Sequence, residues 1–580
     1  MAQKDPKVLT QPTLEREVGA SRRFRVAVLL DNIDSDYQAE IIEGALRAAR
    51  PAAVRTLIVP GGRVGEAGRN FLFEHVRQAQ VDGILMLGGS LSNDCGLPHF
   101  REWARRFEPT PCVAIGVELS ELPTVHVDNA MGMTALVQHL IVEHNRRRIA
   151  FIGGPAQSAE AEVRRRAYLQ ALQDHGVAPD ERLMVGGNFT RAGGVEAVRR
   201  LFDDRHFSPD TLNAIVAVND DSALGALEAL TQRGISVPDQ VSLTGFDNVE
   251  SADAANPPLT TVDQRVEAQG YAGMRALIDA LESGRAPESA VLDLGTVLRA
   301  SCGCKRHTHN KTEGTVSPRL VLARSLRLAL VERRGAIAAE LNRVAAGRIA
   351  GIPNWESKLL NALERSMLAP ESQTFSDEVE RFVRRQLALR QGPGACHDVL
   401  TALRIHVVAL TAAEPEIRPR VEDLFHESRL TIARAAADSE RDHQRTLERR
   451  MRAITISCLS LIGETETGDL ARVLDEHLPA LGIATYIVSR FRARDRLEEL
   501  EIVARRGSLQ QSSAQPFVRA ADLGLNAMFE QEQATVIQPL DHQGQPVGIA
   551  GLAWGAKKPV HYEQLREILA AALWSSRLAG

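Results

Sequence analysis

The sequence predicts an α/β protein of two lobes built on parallel sheets, then an all-helical segment, then a smaller α+β region. Three observations predict this. From Arg25 to about Leu298, short β-branched runs alternate with amphipathic stretches of helix length, the pattern of βαβ units around a parallel sheet. From residue 318 to about 450, Leu, Ala, Arg and Glu dominate and strand signals are few. From about Gly468, strand and helix patterns mix again. At 580 residues the chain is too long for one core.

The strand candidates come in two series. RVAVLL, VRTLIV, GILMLG and PCVAIG form the first, and RRIAFIGG, RLMVGG, NAIVAV and QVSLTGF the second. Between them lies TVHVDNAMGMTALVQHLIVEHN, a short strand before a helix whose apolar face includes Met133, Leu136, Val137, Leu140 and Ile141. The helical segment is broken at GIPN, APESQT and QGPGAC. Its last helix carries Leu447, Met451, Ile454, Cys458 and Leu461 at spacings of four and three, the seam of a coiled coil, which predicts a homodimer. An amphipathic helix packed on its own domain is the alternative. The closing region reads helix DLARVLDEHLPAL, strands ATYIVSRF, EELEIVAR, ATVIQPL and PVGIAGLAW, and helix YEQLREILAAALWSSRLA. The expected divisions are a tail over 1–23, the two lobes over 24–305, a linker over 306–317, helices over 318–440, a coiled-coil-like signalling helix over 441–466 and the α+β region over 467–580.

Composition narrows the function. A formal net charge of -5 gives the whole molecule no pull toward phosphate backbones, so nucleic-acid binding would need a local basic patch. The first twenty residues are polar and mixed in charge, and no stretch approaches membrane-span length, so a cytoplasmic protein with no membrane contact is expected. Six cysteines in so long a chain make no disulfide scaffold.

Several stretches in the first 300 residues carry a resemblance: DYQAEIIEGA, VDNAMGMTALVQHLI, RRIAFIGGP followed by RRRAYLQAL, AVNDDSALGALEAL, GISVPDQVSLTGFDN and PPLTTVDQ. In this order they resemble the ligand-binding core of the lactose and galactose repressor (LacI/GalR) family, over about half of the chain. The resemblance implies a two-lobed, periplasmic-binding-protein-like (type I) fold. DYQAEIIEGA and the terminal RASCGC look like a subtype in which this core is fused to signalling modules, and residues 468 to 577 are similar, more faintly, to a GAF domain. Repressors of the family begin with a helix-turn-helix and hinge helix. Here only MAQKDPKVLTQPTLEREVGASRR precedes the first strand, so operator binding by the usual route is not expected, and direct DNA contact is left open.

The resemblance also implies ligand contacts. Arg164 matches an arginine that binds sugar hydroxyls or a carboxylate, a task suited to a planar group with five donors. The alternative is a solvated arginine in VRRRAY. Asn219 would use its amide as donor and acceptor, and Asp247 in GFDN would accept two hydroxyl hydrogens. Strand-end capping is the alternative for both, with Asp220 expected to cap a helix starting at Ser222. Phe189 matches an aromatic packed on the ligand, or is ordinary core, and Gln264 a polar residue at the cleft mouth. Asp36 and Tyr37 follow the first strand and are expected to face the same crevice. Gly116 stands where some relatives carry an acid, so the sugar itself does not carry over.

Three other motifs are weighed and set aside. CGCKRHTH offers Cys302, Cys304, His307 and His309, enough ligands in number for tetrahedral zinc, but at spacings foreign to common structural sites. It is read as a domain-end segment, and no metal or cofactor is expected. PGGRVGEAGRN lacks the Gly-Lys-Ser/Thr ending of a phosphate loop. HQRTLERR, with His443, does not look like a kinase histidine box. No nucleophile, carboxylate base pair or cofactor loop supports an enzyme. The expectation is a sensor that closes on a small polar ligand, a sugar or related metabolite, and relays its state to the GAF-like region and a signalling partner in trans.

Overall fold

The apolar runs become buried strands, and their pairing sorts them into lobes. The computed structural model describes residues 24–33, 35–66, 68–78, 81–304, 324–345, 349, 352–368, 374–388, 394–411, 418–460, 467–493, 496–506, 517–519, 532–555 and 562–578. The chain divides into two compact units, Met1–Thr308 with Ala453–Gly580, and His309–Arg452.

The first lobe contains β1 (Arg25–Leu30), α1 (Asp36–Ala49), β2 (Arg55–Pro60), α2 (Phe71–Gln78), β3 (Gly83–Met86), α3 (Gly88–Leu91), α4 (Gly96–Arg105), β4 (Cys112–Ile115) and β5 (Thr124–Val127). The second contains α5 (Asn129–Val142), β6 (Ile149–Ile152), α6 (Ala159–Asp174), β7 (Met184–Val185), α7 (Arg191–Arg199), β8 (Ala214–Ala217), α8 (Asp220–Gln232), β9 (Ser242–Thr244) and α9 (Glu250–Ala254). β10 (Thr261–Asp263) then leads into α10 (Val266–Ser283), which packs on α1 and β4 of the first lobe, before β11 (Ala290–Leu292) and β12 (Gly295–Val297).

In the first lobe the parallel order is β11-β5-β4-β3-β1-β2, and in the second β7-β6-β8-β9. Helices cover both faces of such sheets, which is why their strands read as unbroken apolar runs rather than alternating ones. The helices start at capping side chains: Ser35, Asp128, Ser158 and Asn219 each accept from a backbone N–H in the first turn of α1, α5, α6 and α8. α1 and α10 cross where both lack a side chain. A Cβ on Gly44 would lie 1.9 Å from Glu267 O, and one on Gly270 2.0 Å from Ile41 O, so only glycine fits.

The helical unit holds α11 (Arg324–Ala345), α12 (Trp355–Leu368), α13 (Thr374–Ala388), α14 (Gly394–Leu410) and α15 (Arg418–Ser460), the last running on into the other unit's residues. Its core includes Leu341, Leu363, Val379, Leu403 and Ile432, with Trp355 stacked on Phe382 and Phe375 edge-on to Phe425. α15 is one unbroken helix through residue 441. The seam side chains Leu447, Met451, Ile454 and Cys458, with that of His443, lie outside the described residues, as do Leu461, the 1–23 tail and the 306–317 linker.

The carboxyl-terminal region runs α16 (Thr467–His477), β13 (Tyr486–Ala493), β14 (Arg496–Arg506), β15 (Phe517–Arg519), β16 (Ala534–His542), β17 (Gln545–Ala553) and α17 (Tyr562–Leu578). Its antiparallel strands do not stand apart from the first lobe. β16 pairs in parallel with β2, Ala534 opposite Thr56, and extends the first-lobe sheet to eleven strands, ending β2-β16-β17-β13-β14-β15. Ile487, Phe491, Leu500 and Ile549 join the apolar cluster of Leu57, Phe73 and Trp103. Arg69 on the first lobe meets Glu563 at 2.5 Å and Asp541 at 3.4 Å. No helix among the described residues is long and apolar enough to cross a membrane.

Candidate ligand-binding cleft

Loops at the carboxyl ends of the strands in both lobes line a single cavity of about 540 Å³. It contains Asp36, Tyr37, Arg164, Phe189, Asn219, Asp247 and Gln264, so all seven residues singled out in the sequence meet in one place. Each is put there by a local device. Asp36 and Tyr37 open α1 just after β1, and Asn219 follows β8. Arg164 stands on the second turn of α6. Asp247 sits after β9 in the left-handed half of backbone space, φ 135, next to Asn248 at φ 62. Phe189 also has a positive φ, 65, in the turn before α7.

Arg164 is the buried centre, 3% exposed. Its Nε donates to Asn129 Oδ1 at 2.8 Å and its Nη1 to the Val218 carbonyl at 2.8 Å, and its guanidinium lies 3.9 Å from the Phe246 ring centroid. Around it stand the carboxylates Glu160 at 3.5 Å and Asp247 at 3.9 Å. Gln264 Nε2 donates to Asp247 Oδ1 at 2.5 Å, and Gln269 Nε2 fixes Gln264 through its carbonyl at 2.8 Å.

Burial is the first cause of the altered titration here. It pushes Glu160 above the usual glutamate range, although Arg164 and Asn129 pull it back. It lifts Asp247 well above the usual aspartate value, opposed by Arg164 and reinforced by Asp220 and Glu160. The Tyr37 hydroxyl is raised by burial and then by Glu160 and Asp247.

Asn219 is the N-cap of α8. Its Oδ1 accepts from Ser222 N at 3.0 Å and its Nδ2 donates to the Phe189 carbonyl at 3.0 Å. The capping role expected of Asp220 therefore falls to Asn219, because the helix begins at Asp220 rather than Ser222. Asp220 is wholly buried, accepts from Thr261 Oγ1 at 2.6 Å and Val249 N at 3.1 Å, and is lifted by burial to about 6. At Gly116 the backbone has φ 79, and a Cβ would lie 3.4 Å from the Tyr37 hydroxyl, so an acidic residue would need a strained backbone beside that ring.

Among the polar wall residues that sequence reasoning missed are Asp31, Asn32, Asn93 and Glu160. Asp31 ends β1 as Asn219 ends β8, so the same strand-end rule finds it; it accepts from Gln38 Nε2 at 3.2 Å. Glu160 announces itself only by its position four residues before Arg164. Asn32 and Asn93 have no such signal. Asn32 Oδ1, Asn93 Oδ1 and Glu160 Oε1 are buried oxygens with no hydrogen-bond partner, and all three residues line the cavity. The wall thus presents acceptors to which no protein group donates.

The two-lobed fold and its cleft are those of a periplasmic-binding-protein-like domain, and residues 137–302 match the family described as periplasmic binding protein-like domain. The chain is similar to the HTH-type transcriptional repressor CytR of Escherichia coli K12, 29% identical over 294 residues, 50% of this chain and 83% of that protein. It is 36% identical to the HTH-type transcriptional regulator CelR of Thermobifida fusca over 222 residues, 38% of this chain and 62% of that one. A solved structure described as a CelR–cellobiose complex is 28% identical, covering 48% of this chain and 85% of that chain with a TM-score of 0.42.

Proposed function

We propose that the protein is a ligand-responsive regulator of transcription or signalling whose amino-terminal lobes close on a polyhydroxylated metabolite, a sugar or a nucleoside. One observation carries the reading: the carboxylates of Asp31, Glu160 and Asp247, and the buried amide oxygens of Asn32 and Asn93 that have no hydrogen-bond partner, line one cavity with Arg164. Such a wall matches a ligand rich in O–H donors, since buried acceptors without donors are costly. The likeness to CytR and CelR supports regulation of transcription as the output.

Asp247 and Glu160 would accept ligand hydroxyls, Arg164 would hold both acids and donate to a ring or hydroxyl oxygen, and Phe189 would cover an apolar face. Closure would be felt at β2, whose pairing with β16 offers a direct mechanical route to the GAF-like region. The helices and a homodimer seam on α15 would carry the state to a partner in trans. Direct DNA contact through the helical unit has less support, because Arg343, Arg381, Arg384 and Arg404 each pair with a glutamate.

The test is a thermal-shift screen of the full-length chain against neutral sugars, nucleosides and amino acids, since a ligand that binds only the folded form raises Tm by mass action. A polyhydroxylated compound is expected to give the shift. Stabilisation by amino acids alone would overturn the reading.

A further inference from the structure

A second cluster of chemically active side chains lies away from the cleft, where the binding domain ends. His139 on the last turn of α5, His144 just beyond that helix, and Cys302 and Cys304 converge so that their ligand atoms all lie within 4.8 Å of one another. His139 Nε2 is 3.1 Å from His144 Nε2, 3.5 Å from Cys302 Sγ and 3.4 Å from Cys304 Sγ, and His144 Nε2 is 3.4 Å from Cys304 Sγ. We infer that these four residues form a tetrahedral zinc site that clamps the end of the binding domain to the second lobe.

The distances argue for a shared central ion. A tetrahedron with metal bonds of about 2.3 Å to sulfur and about 2.05 Å to nitrogen has N···S edges of about 3.5 Å and an N···N edge of about 3.3 Å. These four separations fall within about 0.3 Å of such edges, and the remaining two, from Cys302 Sγ to Cys304 Sγ and to His144 Nε2, are no longer than 4.8 Å. Hydrogen bonding alone does not account for the cluster. A neutral imidazole nitrogen offers one hydrogen or one lone pair, whereas His139 Nε2 has three heteroatoms around it. Two thiolates and two imidazoles are a ligand set that zinc takes in closed structural sites, with the thiol protons released to solvent on binding.

The surroundings hold the ligands in place. Ser301 Oγ donates to the Leu243 carbonyl at 2.6 Å and accepts from Thr260 N at 2.8 Å. Ser242 Oγ donates to the Cys302 carbonyl at 2.8 Å and accepts from Arg146 Nε at 3.0 Å. Between the cysteines Gly303 takes φ +109, and a Cβ there would lie 3.2 Å from His144 Nδ1. The Cys-Gly-Cys turn can thus approach the histidine only as glycine. His307 and His309, the local ligands the sequence offered, lie outside the described residues; the two histidines of this cluster come from the end of α5 and the turn after it.

Full-length protein purified without chelator is expected to carry a single zinc by elemental analysis. After zinc removal, Co(II) should give thiolate charge-transfer bands and the intense visible bands of tetrahedral cobalt. Cys304→Ser and His144→Asn, at partly exposed positions, should each lose the zinc and the thiolate-rich spectrum, whereas Cys95→Ser in the first lobe should keep both. Native protein that neither holds zinc nor develops the Co(II) bands would overturn the proposal. So would a Cys302–Cys304 disulfide in non-reducing peptide mass spectra, or full metal retention by both ligand variants.

Discussion

Asp247→Ala separates ligand chemistry from folding. A carboxylate offers about four acceptor positions, and Gln264 uses one of them, which leaves room for two ligand hydroxyls. Hydrogen bonds to a charged group contribute about 1.5–3 kcal/mol each, so losing two costs about 3–6 kcal/mol, roughly a 10²–10⁴-fold loss of affinity. In a thermal-shift assay, a ligand at 100 times its Kd stabilises the native chain by about 2.7 kcal/mol. The same concentration should stabilise the variant by at most about 0.4 kcal/mol, so the shift nearly vanishes. Asp247→Asn is the companion. It keeps an acceptor for Gln264 but removes a charge that burial disfavours. The ligand-free Tm of this variant at pH 8 should hold or rise while its ligand shift falls. A native-sized shift in Asp247→Ala with the same ligand would refute the assignment of Asp247 as a ligand acceptor.

Arg164→Met should behave in the opposite way, lowering the ligand-free stability by about 3–5 kcal/mol by chemical denaturation, because Glu160 and Asp247 lose their buried counter-charge. Glu40 on α1 is raised from 4.5 to about 7, first by burial and then by Asp36; a backbone hydrogen bond at Glu250 opposes the rise, and the charges of Glu250 and Glu267 add to it. The folded state therefore holds a proton that the unfolded chain releases, and its stabilisation, present below about pH 4.5, is lost as pH rises through 7. Glu40→Gln should remove that loss, gaining about 1–2 kcal/mol at pH 8 relative to pH 5 after allowance for solvent screening, as read from denaturant midpoints at the two pH values. Phe491→Ala, at a ring 1% exposed and 5.6 Å from Phe71, should cost about 3–5 kcal/mol. Because its core is shared, amide exchange of residues 55–60 should accelerate with it; unchanged exchange there would mean that the two regions unfold separately.

The lobes were legible because buried parallel strands write themselves as local apolar runs: RVAVLL is β1 residue for residue. β11 and β12 escaped notice, being three residues long with exposed Val291 and no alternation to read. The cleft residues were legible where strand ends meet polar side chains, as at Asn219, and through the family resemblance for Arg164. The helix start after Asn219 was misplaced because Asn and Asp cap equally well, and only Oδ1 geometry decides between them. The partnership of β2 with β16, and of His139 with Cys302, was invisible for one reason. Contacts between residues far apart in sequence leave no local period.

The β2–β16 seam has a consequence for biosynthesis. Thr56 waits for Ala534, nearly the whole chain later, before that edge is closed. At ribosomal speeds of roughly 5–20 residues per second, the nascent edge stays bare for about half a minute to a minute and a half. During that interval an open row of peptide groups and the apolar side chains of β2 would be available to other nascent chains. Shielding of that edge until β16 has been made would therefore favour production of this protein.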